Sequence, residues 1–81
     1  MKTVRIELEK IYVPTKARKG LTEDRVEILA EDILENGQKS PIQVRLGQGR
    51  YVLVEGLHRL EAIRALGEEN IDAIIVHARR H

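Results

Sequence analysis

Apolar and polar residues alternate in several short stretches of the chain, as they do along half-buried β-strands. In residues 3–8, Val4, Ile6 and Leu8 share one side, and residues 10–13 continue as a second extended segment. Two later alternating stretches flank Gly47-Gln48-Gly49, which predicts a β-hairpin. The predicted strands cover residues 3–8, 10–13, 41–46, 50–54 and 71–76.

A helical period predicts the first of two helices after a basic segment. Pro14 interrupts strand pairing, and residues 15–20, which include Arg18, are predicted as a solvated basic loop. Thr22 is an N-cap candidate for a helix that ends at Asn36-Gly37, where glycine supplies the left-handed position. The predicted apolar stripe of this helix contains Val26, Leu29, Ala30, Ile33 and Leu34.

The second predicted helix runs from residue 57 or 58 to residue 66 and ends at Gly67. Ala62, Ile63 and Leu66 face inward, with Leu57 or Leu60 completing the stripe. Strands and helices together predict the α+β class: a small mixed β-sheet packed with two principal α-helices.

Length and composition limit the possible architectures and chemistries. The 81 residues suffice for one domain, residues 1–81, whose core must be aliphatic because Phe and Trp are absent. Cysteine is also absent, which excludes disulfides and thiolate chemistry, and the three histidines lack a metal-ligand spacing, so no metal site is predicted. No apolar run reaches membrane-spanning length. The expected location is the cytoplasm, without membrane association.

Charge is divided unevenly along the chain. Residues 22–36 hold six acids and one base, Arg25, whereas the remainder holds 13 bases and 7 acids. An anionic ligand is therefore expected to avoid most of the first helix. Arg25 itself has two interpretations: an ion pair with an acid one turn away, or a contact to an anion near the start of the helix.

The transition from strand to helix at residues 51–59 is the candidate site. A strand that turns through Gly56 into a helix presents unpaired N–H groups, and these favour an anion. His58 and Arg59 fall in the first turn, where they could close on a phosphate. The alternatives are that His58 only caps and packs the helix, and that Arg59 pairs with Glu55 or Glu61.

The order of these features resembles the N-terminal domain shared by ParB partition proteins and sulfiredoxins. The resemblance rests on Pro14, Arg18, Gly37, Pro41-Ile42-Gln43-Val44, Gly56-Leu57-His58-Arg59, Ala62 and Leu66-Gly67. It implies a nucleotide, CTP or ATP, whose phosphates lie at Gly56–Arg59, with Mg²⁺ as an optional companion. Arg25 matches a phosphate-binding lysine of sulfiredoxins, and Ser40 lies where ParB proteins have a glutamine near the nucleotide. The resemblance also makes Arg18 and Leu57 candidate nucleotide-binding residues.

Departures from the relatives restrict what the resemblance implies. Leu57 stands where sulfiredoxins have cysteine, so sulfiredoxin activity is excluded, and it also replaces a ParB glutamate associated with CTP hydrolysis. Ile28 and Asp32 replace a phosphate-binding serine and threonine. A carboxylate at Asp32 would repel phosphate unless it faces away or Mg²⁺ lies between them.

Three functions are compatible with these residues. The first is a ParB-like nucleotide-binding module in DNA partition or transcription regulation, acting with DNA or a DNA-binding partner protein, with a homodimer as one form. The second is a small nucleotide-dependent phosphotransferase or nuclease, for which the sequence supplies no convincing catalytic base. The third is non-specific nucleic-acid binding through the basic surface, against which the lack of aromatic platforms counts.

Overall fold

A computed structural model describes residues 2–77 of the chain. Within this range, five strands form one sheet and three α-helices connect them. A single 3₁₀ turn, Leu8–Lys10, separates the first two strands, so the strand prediction is wrong at Leu8 and Lys10. The elements in chain order are β1 (Thr3–Glu7), β2 (Ile11–Tyr12), α1 (Thr15–Arg18), α2 (Glu23–Asn36), β3 (Ile42–Leu46), β4 (Tyr51–Glu55), α3 (Leu57–Ala65) and β5 (Asn70–Ile75).

The sheet is mixed, with the strand order β1-β5-β3-β4-β2. β3 and β4 pair antiparallel as the predicted hairpin, and β1 pairs antiparallel with β5. The β3–β5 and β2–β4 pairs are parallel. The predicted α+β class, with a small mixed sheet and two principal helices, is therefore confirmed.

The core is aliphatic, as the composition requires. Leu60, Ala62, Ile71, Ala73 and Val44 are fully buried, and they come from one helix and two strands. Because α2 adds only partly buried residues and Ile33, it packs against α3 and the core with one face and is not enclosed. The remaining members of the core cluster are Ile6, Leu8, Ile11, Val13, Ile33, Ile42, Leu53 and Ile63.

The loop predicted for residues 15–20 is wrong in its first four residues, because Thr15–Arg18 forms the short helix α1. Pro14 precedes it with φ −58°, and its carbonyl accepts a hydrogen bond from Ala17 N–H at 3.0 Å. Proline is well suited to the start of a helical turn. This helical signal was missed in the sequence because the run of basic residues was interpreted as a solvated loop.

The predicted stripe on α2 is wrong at Leu34, whose exposed fraction is 74%. Ile33 is buried, and Val26, Leu29 and Ala30 pack against the core as predicted. A helix turns by about 100° per residue, so a side chain next to a buried one faces well away from the core direction. The core contact at the end of α2 therefore belongs to Ile33 alone.

Both ends of α2 differ in detail from the prediction. Thr22 is the N-cap residue, but its side chain makes no capping hydrogen bond in the described structure. Gly37 has the expected positive φ of 77°, yet its ψ of 175° is not that of a left-handed helix. Gly37 N–H still donates to Ile33 O at 2.8 Å, which ends the helix.

Candidate functional site

The N-terminus of α3 directly follows β4, with Gly56 as the residue between them. Gly56 has φ 111° and ψ 31°, a left-handed conformation that side chains rarely adopt. The first hydrogen bond of the helix runs from Leu60 N–H to Gly56 O at 2.9 Å. The N–H groups of residues 57–59 precede that bond, and no side chain of residues 2–77 accepts a hydrogen bond from them. They provide the donors that an anion requires.

Gly56 is also fixed by its neighbour on β3. A Cβ atom at this position would lie 2.6 Å from Cγ2 of Ile42, a contact that real Cβ atoms do not make. Ile42 is itself buried in the core at 1% exposure. The turn is therefore held directly against the sheet, which gives the N-terminus of α3 a rigid base.

A cleft of about 500 Å³ opens at this turn. It lies between the start of α2, the segment that enters β3, and the end of β4 with the start of α3. The lining residues are Arg25, Leu29, Ser40, Pro41, Gln43, Glu55, Gly56, Leu57, His58 and Arg59. Six of the seven residues that the sequence singled out are therefore brought together.

Arg18 is the exception among the predicted site residues. It ends the short helix α1, is exposed, and does not belong to the lining of the cleft. The resemblance made it a candidate nucleotide contact, but no side-chain hydrogen bond or ion pair within residues 2–77 joins it to the cleft. Its role therefore stays a prediction.

Two guanidinium groups give the cleft its positive charge. Arg25 lies on α2 and Arg59 on α3, and neither forms an ion pair within residues 2–77. Glu61, one of the predicted partners of Arg59, instead pairs with Arg64 at 3.6 Å. The structure thus leaves both arginine side chains available to a ligand. Glu55 is the one carboxylate among the residues that line the cleft.

His58 has a partner of its own. Thr22 N–H donates to His58 Nε2 at 3.0 Å, which links the N-cap of α2 to the first turn of α3. Because Nε2 accepts this bond, it carries no proton, and a neutral imidazole then has its proton on Nδ1. The ring is half-buried at the wall of the cleft.

Asp32, the residue expected to disfavour phosphate, lies outside the cleft lining. Its Oδ1 accepts a hydrogen bond from Asn36 Nδ2 at 2.9 Å and pairs with Lys39 Nζ at 3.2 Å. The hydrogen bond from Asn36 lowers the pKa of Asp32 most, and the hydrogen bond from Lys39 lowers it further. Its charge is thereby balanced locally. Ile28, the other departure on this helix, is 66% exposed and also outside the cleft.

Gln38 is a structural residue of the site for which the sequence offers no signal. Its Nε2 donates to Ser40 O at 2.9 Å and to Asp72 O at 3.0 Å, and its Oε1 accepts from Asp72 N–H at 2.9 Å. The side-chain amide thus bonds to the backbone of β5 at Asp72, next to Ala73, where the pairing of β3 with β5 begins. This fixes the segment that carries Ser40 and Pro41 into the wall of the cleft.

The described part of the chain holds neither a metal cluster nor a membrane-spanning helix. Between residues 2 and 77, no group of three or more His, Asp or Glu side chains could hold a metal ion. In the same range, no helix is long and apolar enough to cross a lipid bilayer.

The fold and the cleft define a small α+β domain whose helix N-terminus faces a basic cleft. The family model of the ParB N-terminal domain matches residues 1–81, so the chain belongs to this family. One relative, the probable chromosome-partitioning protein ParB of Helicobacter pylori, is 40% identical over 63 residues. That alignment covers 78% of this chain and 22% of the relative, so the chain spans about a fifth of the relative's length.

Solved structures show the same fold. Sulfiredoxin from Arabidopsis thaliana superposes with a TM-score of 0.85 at 31% identity, covering 96% of this chain and 88% of that chain. A C-terminally truncated ParB from Caulobacter crescentus in complex with CTP-γ-S gives a TM-score of 0.84 at 24% identity. Coverage there is 98% of this chain and 46% of that chain. The predicted kinship with ParB proteins and sulfiredoxins is confirmed.

Proposed function

We propose that this ParB N-terminal domain binds the phosphates of a nucleoside triphosphate, CTP or ATP, at the N-terminus of α3. The observation that carries the proposal is the position of Arg25 and Arg59, unpaired within residues 2–77, beside the uncapped N–H groups of residues 57–59. Backbone donors, the positive end of a helix dipole and two guanidiniums together favour a multiply charged anion. The ParB structure with CTP-γ-S supports the choice of ligand class.

The two helix N-termini near the cleft are not equivalent. The first turn of α2 carries Glu23 and Asp24, which already place negative charge at its positive end. The first turn of α3 contains no acidic residue. The phosphates are therefore assigned to α3, and α2 contributes Arg25 from the side.

The negative charge of Glu55 must be compensated if a triphosphate is to bind in the cleft. Its carboxylate lines the same cleft as the arginines and would repel a bare triphosphate. Mg²⁺ bound to the phosphates would reduce this repulsion, and carboxylate and phosphate oxygens are ligands that Mg²⁺ accepts. We expect Glu55→Gln to strengthen binding when Mg²⁺ is absent and to have less effect when it is present.

Thermal unfolding with CTP, ATP and inorganic triphosphate, each with and without Mg²⁺, tests the proposal. A ligand that binds only the folded protein raises the unfolding free energy, by about 2.7 kcal/mol at one hundred times its Kd. A nucleotide that stabilises the wild type but not the Arg25→Gln, Arg59→Gln double variant supports the proposal. The proposal would be contradicted if the wild type melted at the same temperature with and without each of these ligands at millimolar concentration.

A role in DNA partition or transcription regulation is the biological part of the proposal. It rests on family membership and on the similarity to a chromosome-partitioning ParB. In that role the partner is DNA or a DNA-binding protein, a homodimer is one possible form, and the chain acts in the cytoplasm. Phosphate release during the nucleotide experiments, or cleavage of plasmid DNA, would favour the phosphotransferase or nuclease alternative. DNA binding that weakens steeply with salt would favour the nucleic-acid alternative.

A further inference from the structure

The bond between Thr22 and His58 gives His58 a structural task in addition to any contact with a ligand. Its Nε2 accepts the Thr22 N–H at 3.0 Å, so this nitrogen joins the two helices and the neutral ring keeps only Nδ1–H as a donor. Within residues 2–77, this is the one side-chain hydrogen bond that joins α2 or its N-cap to α3. The two helices otherwise meet through apolar side chains of the common core.

The position of this bond matters because Arg25 lies one helical turn beyond Thr22. Thr22 is the N-cap, and Arg25 is the third residue of the helix. Apolar packing is non-directional, whereas a hydrogen bond fixes two groups at a defined distance and angle. Holding the N-cap of α2 against the first turn of α3 therefore fixes how Arg25 faces Arg59 across the cleft.

We propose that His58 is a positioning residue: its neutral imidazole pins the start of α2 to α3 and thereby places Arg25 against the phosphates. This inference rests on the proposed phosphate site and deepens it, because it divides the site residues into two groups. The N–H groups of residues 57–59, Arg25 and Arg59 contact the anion. His58 acts through Arg25.

Two substitutions separate positioning from direct contact. His58→Gln retains an acceptor near the place of Nε2, so it can keep the bond to Thr22 N–H without any charge. His58→Lys supplies a cation for phosphate but has no acceptor for Thr22. Positioning predicts that Gln substitutes for histidine and Lys does not, and direct ionic contact predicts the reverse.

Calorimetric titration with the nucleotide that stabilises the wild type provides the affinities. We expect His58→Gln to bind within about threefold of wild type and His58→Lys to bind at least about tenfold more weakly, the factor expected for one misplaced charge-assisted hydrogen bond. In an Arg25→Gln background, His58→Lys should cause little further loss, because residues that act through one another are non-additive. Undiminished binding by His58→Lys would overturn the inference.

Nitrogen NMR of the wild type gives a readout that does not depend on a variant folding. The ¹⁵N shift of His58 Nε2 should be that of an unprotonated, hydrogen-bonded nitrogen both before and after nucleotide is added. Protonation of Nε2 on binding, with loss of its coupling to Thr22 N–H, would show that His58 turns to the phosphate and would contradict positioning.

The free protein distinguishes a failure of this inference from a failure of the proposed function. If no nucleotide binds the wild type, the proposed function fails. The positioning role of the bond between Thr22 and His58 is then tested by amide hydrogen exchange of Val26, whose N–H donates to Thr22 O at 3.2 Å. Exchange of this amide should be faster in His58→Lys than in His58→Gln. Equal rates would show that the bond to His58 does not hold the start of α2, and the inference would fail as well.

Discussion

Gly56 and Ile42 approach so closely that a Cβ atom on the glycine would lie 2.6 Å from Cγ2 of the isoleucine. This contact joins the turn before α3 to the buried start of β3. It explains why the strand enters the helix through glycine, since both the positive φ and the missing side chain are required there. The N–H groups of α3 are consequently presented from a fixed position.

Gly56→Ala should therefore destabilise the fold by more than its backbone strain alone. A left-handed conformation costs about 1–2 kcal/mol for a residue with a side chain, and overpacking against Ile42 adds about 1–3 kcal/mol. Gly67→Ala is the matched control, because Gly67 has φ 77° but nothing within 4 Å of the added atom. Urea unfolding measures both, and equal losses would contradict the role assigned to Ile42.

Arg25→Gln and Arg59→Gln should each weaken nucleotide binding without weakening the fold. Loss of one charge-assisted hydrogen bond corresponds to about 1.5–3 kcal/mol of binding free energy, and stability should change by less than about 0.5 kcal/mol because neither arginine has an ion-pair partner in residues 2–77. Arg45→Gln, at an exposed position of β3 outside the cleft, controls for net charge. Titration calorimetry compares the three, and an equal effect of Arg45→Gln would indicate general electrostatic attraction.

Gln38→Ala should destabilise the protein by about 1–3 kcal/mol, because it leaves the N–H and carbonyl of Asp72 without their side-chain partners. The same change frees the segment at Ser40, so nucleotide affinity should fall as well. Gln48→Ala, in the exposed β3–β4 turn, is the control and should stay within about 0.5 kcal/mol of wild type. Denaturant unfolding checks both values, and a neutral Gln38→Ala would show that the loop is held by other contacts.

Asp32 should contribute to the pH dependence of stability. Hydrogen bonds from Asn36 and Lys39 lower its pKa in the folded protein below the ordinary value of 3.8. Because the folded pKa is the lower one, the stabilisation is present above pH 3.8 and is lost as pH falls through the folded pKa. Asp32→Asn should flatten this part of the stability profile.

Two measurements check the role of Asp32. A carbon NMR titration of its carboxyl group reports the folded pKa, and acid unfolding of wild type and Asp32→Asn reports the stability profile. Glu27→Gln, on the same helix, is the control because Glu27 forms no ion pair in the described residues. A folded pKa at or above 3.8 would contradict the assigned hydrogen bonds.

Sequence patterns predicted the elements well where a local rule decided them. Alternation located the strands, the Gly-Gln-Gly turn located the hairpin, and helical spacing located α2 and α3. Local rules failed where tertiary packing decided the outcome. Leu34 has the right spacing but faces solvent. The helical turn at residues 15–18 was missed for a different reason: it has no buried residue, and its basic side chains were interpreted as a solvated loop.

The sequence predicted which residues form the candidate site better than it predicted the hydrogen bonds that hold them in place. A strand, a glycine and a helix in succession indicated the N–H groups, and the position of Arg25 near a helix start indicated an anion contact. The family resemblance supported Arg25 and added Ser40 to the residues that line one cleft. The bond between His58 and Thr22 joins residues 36 positions apart, and no local pattern encodes such a contact. The same holds for Gln38 and its partner on β5.

The central claim is that the amide groups at the start of α3, with Arg25 and Arg59, bind nucleotide phosphates. Titration of ¹⁵N-labelled protein with CTP and with ATP, each with Mg²⁺, tests it most directly. We expect the largest shifts at the backbone amides of residues 57–59 and at the Nε groups of both arginines, saturating with one equivalent. Unchanged spectra at millimolar nucleotide, or shifts confined to other surfaces, would contradict the claim.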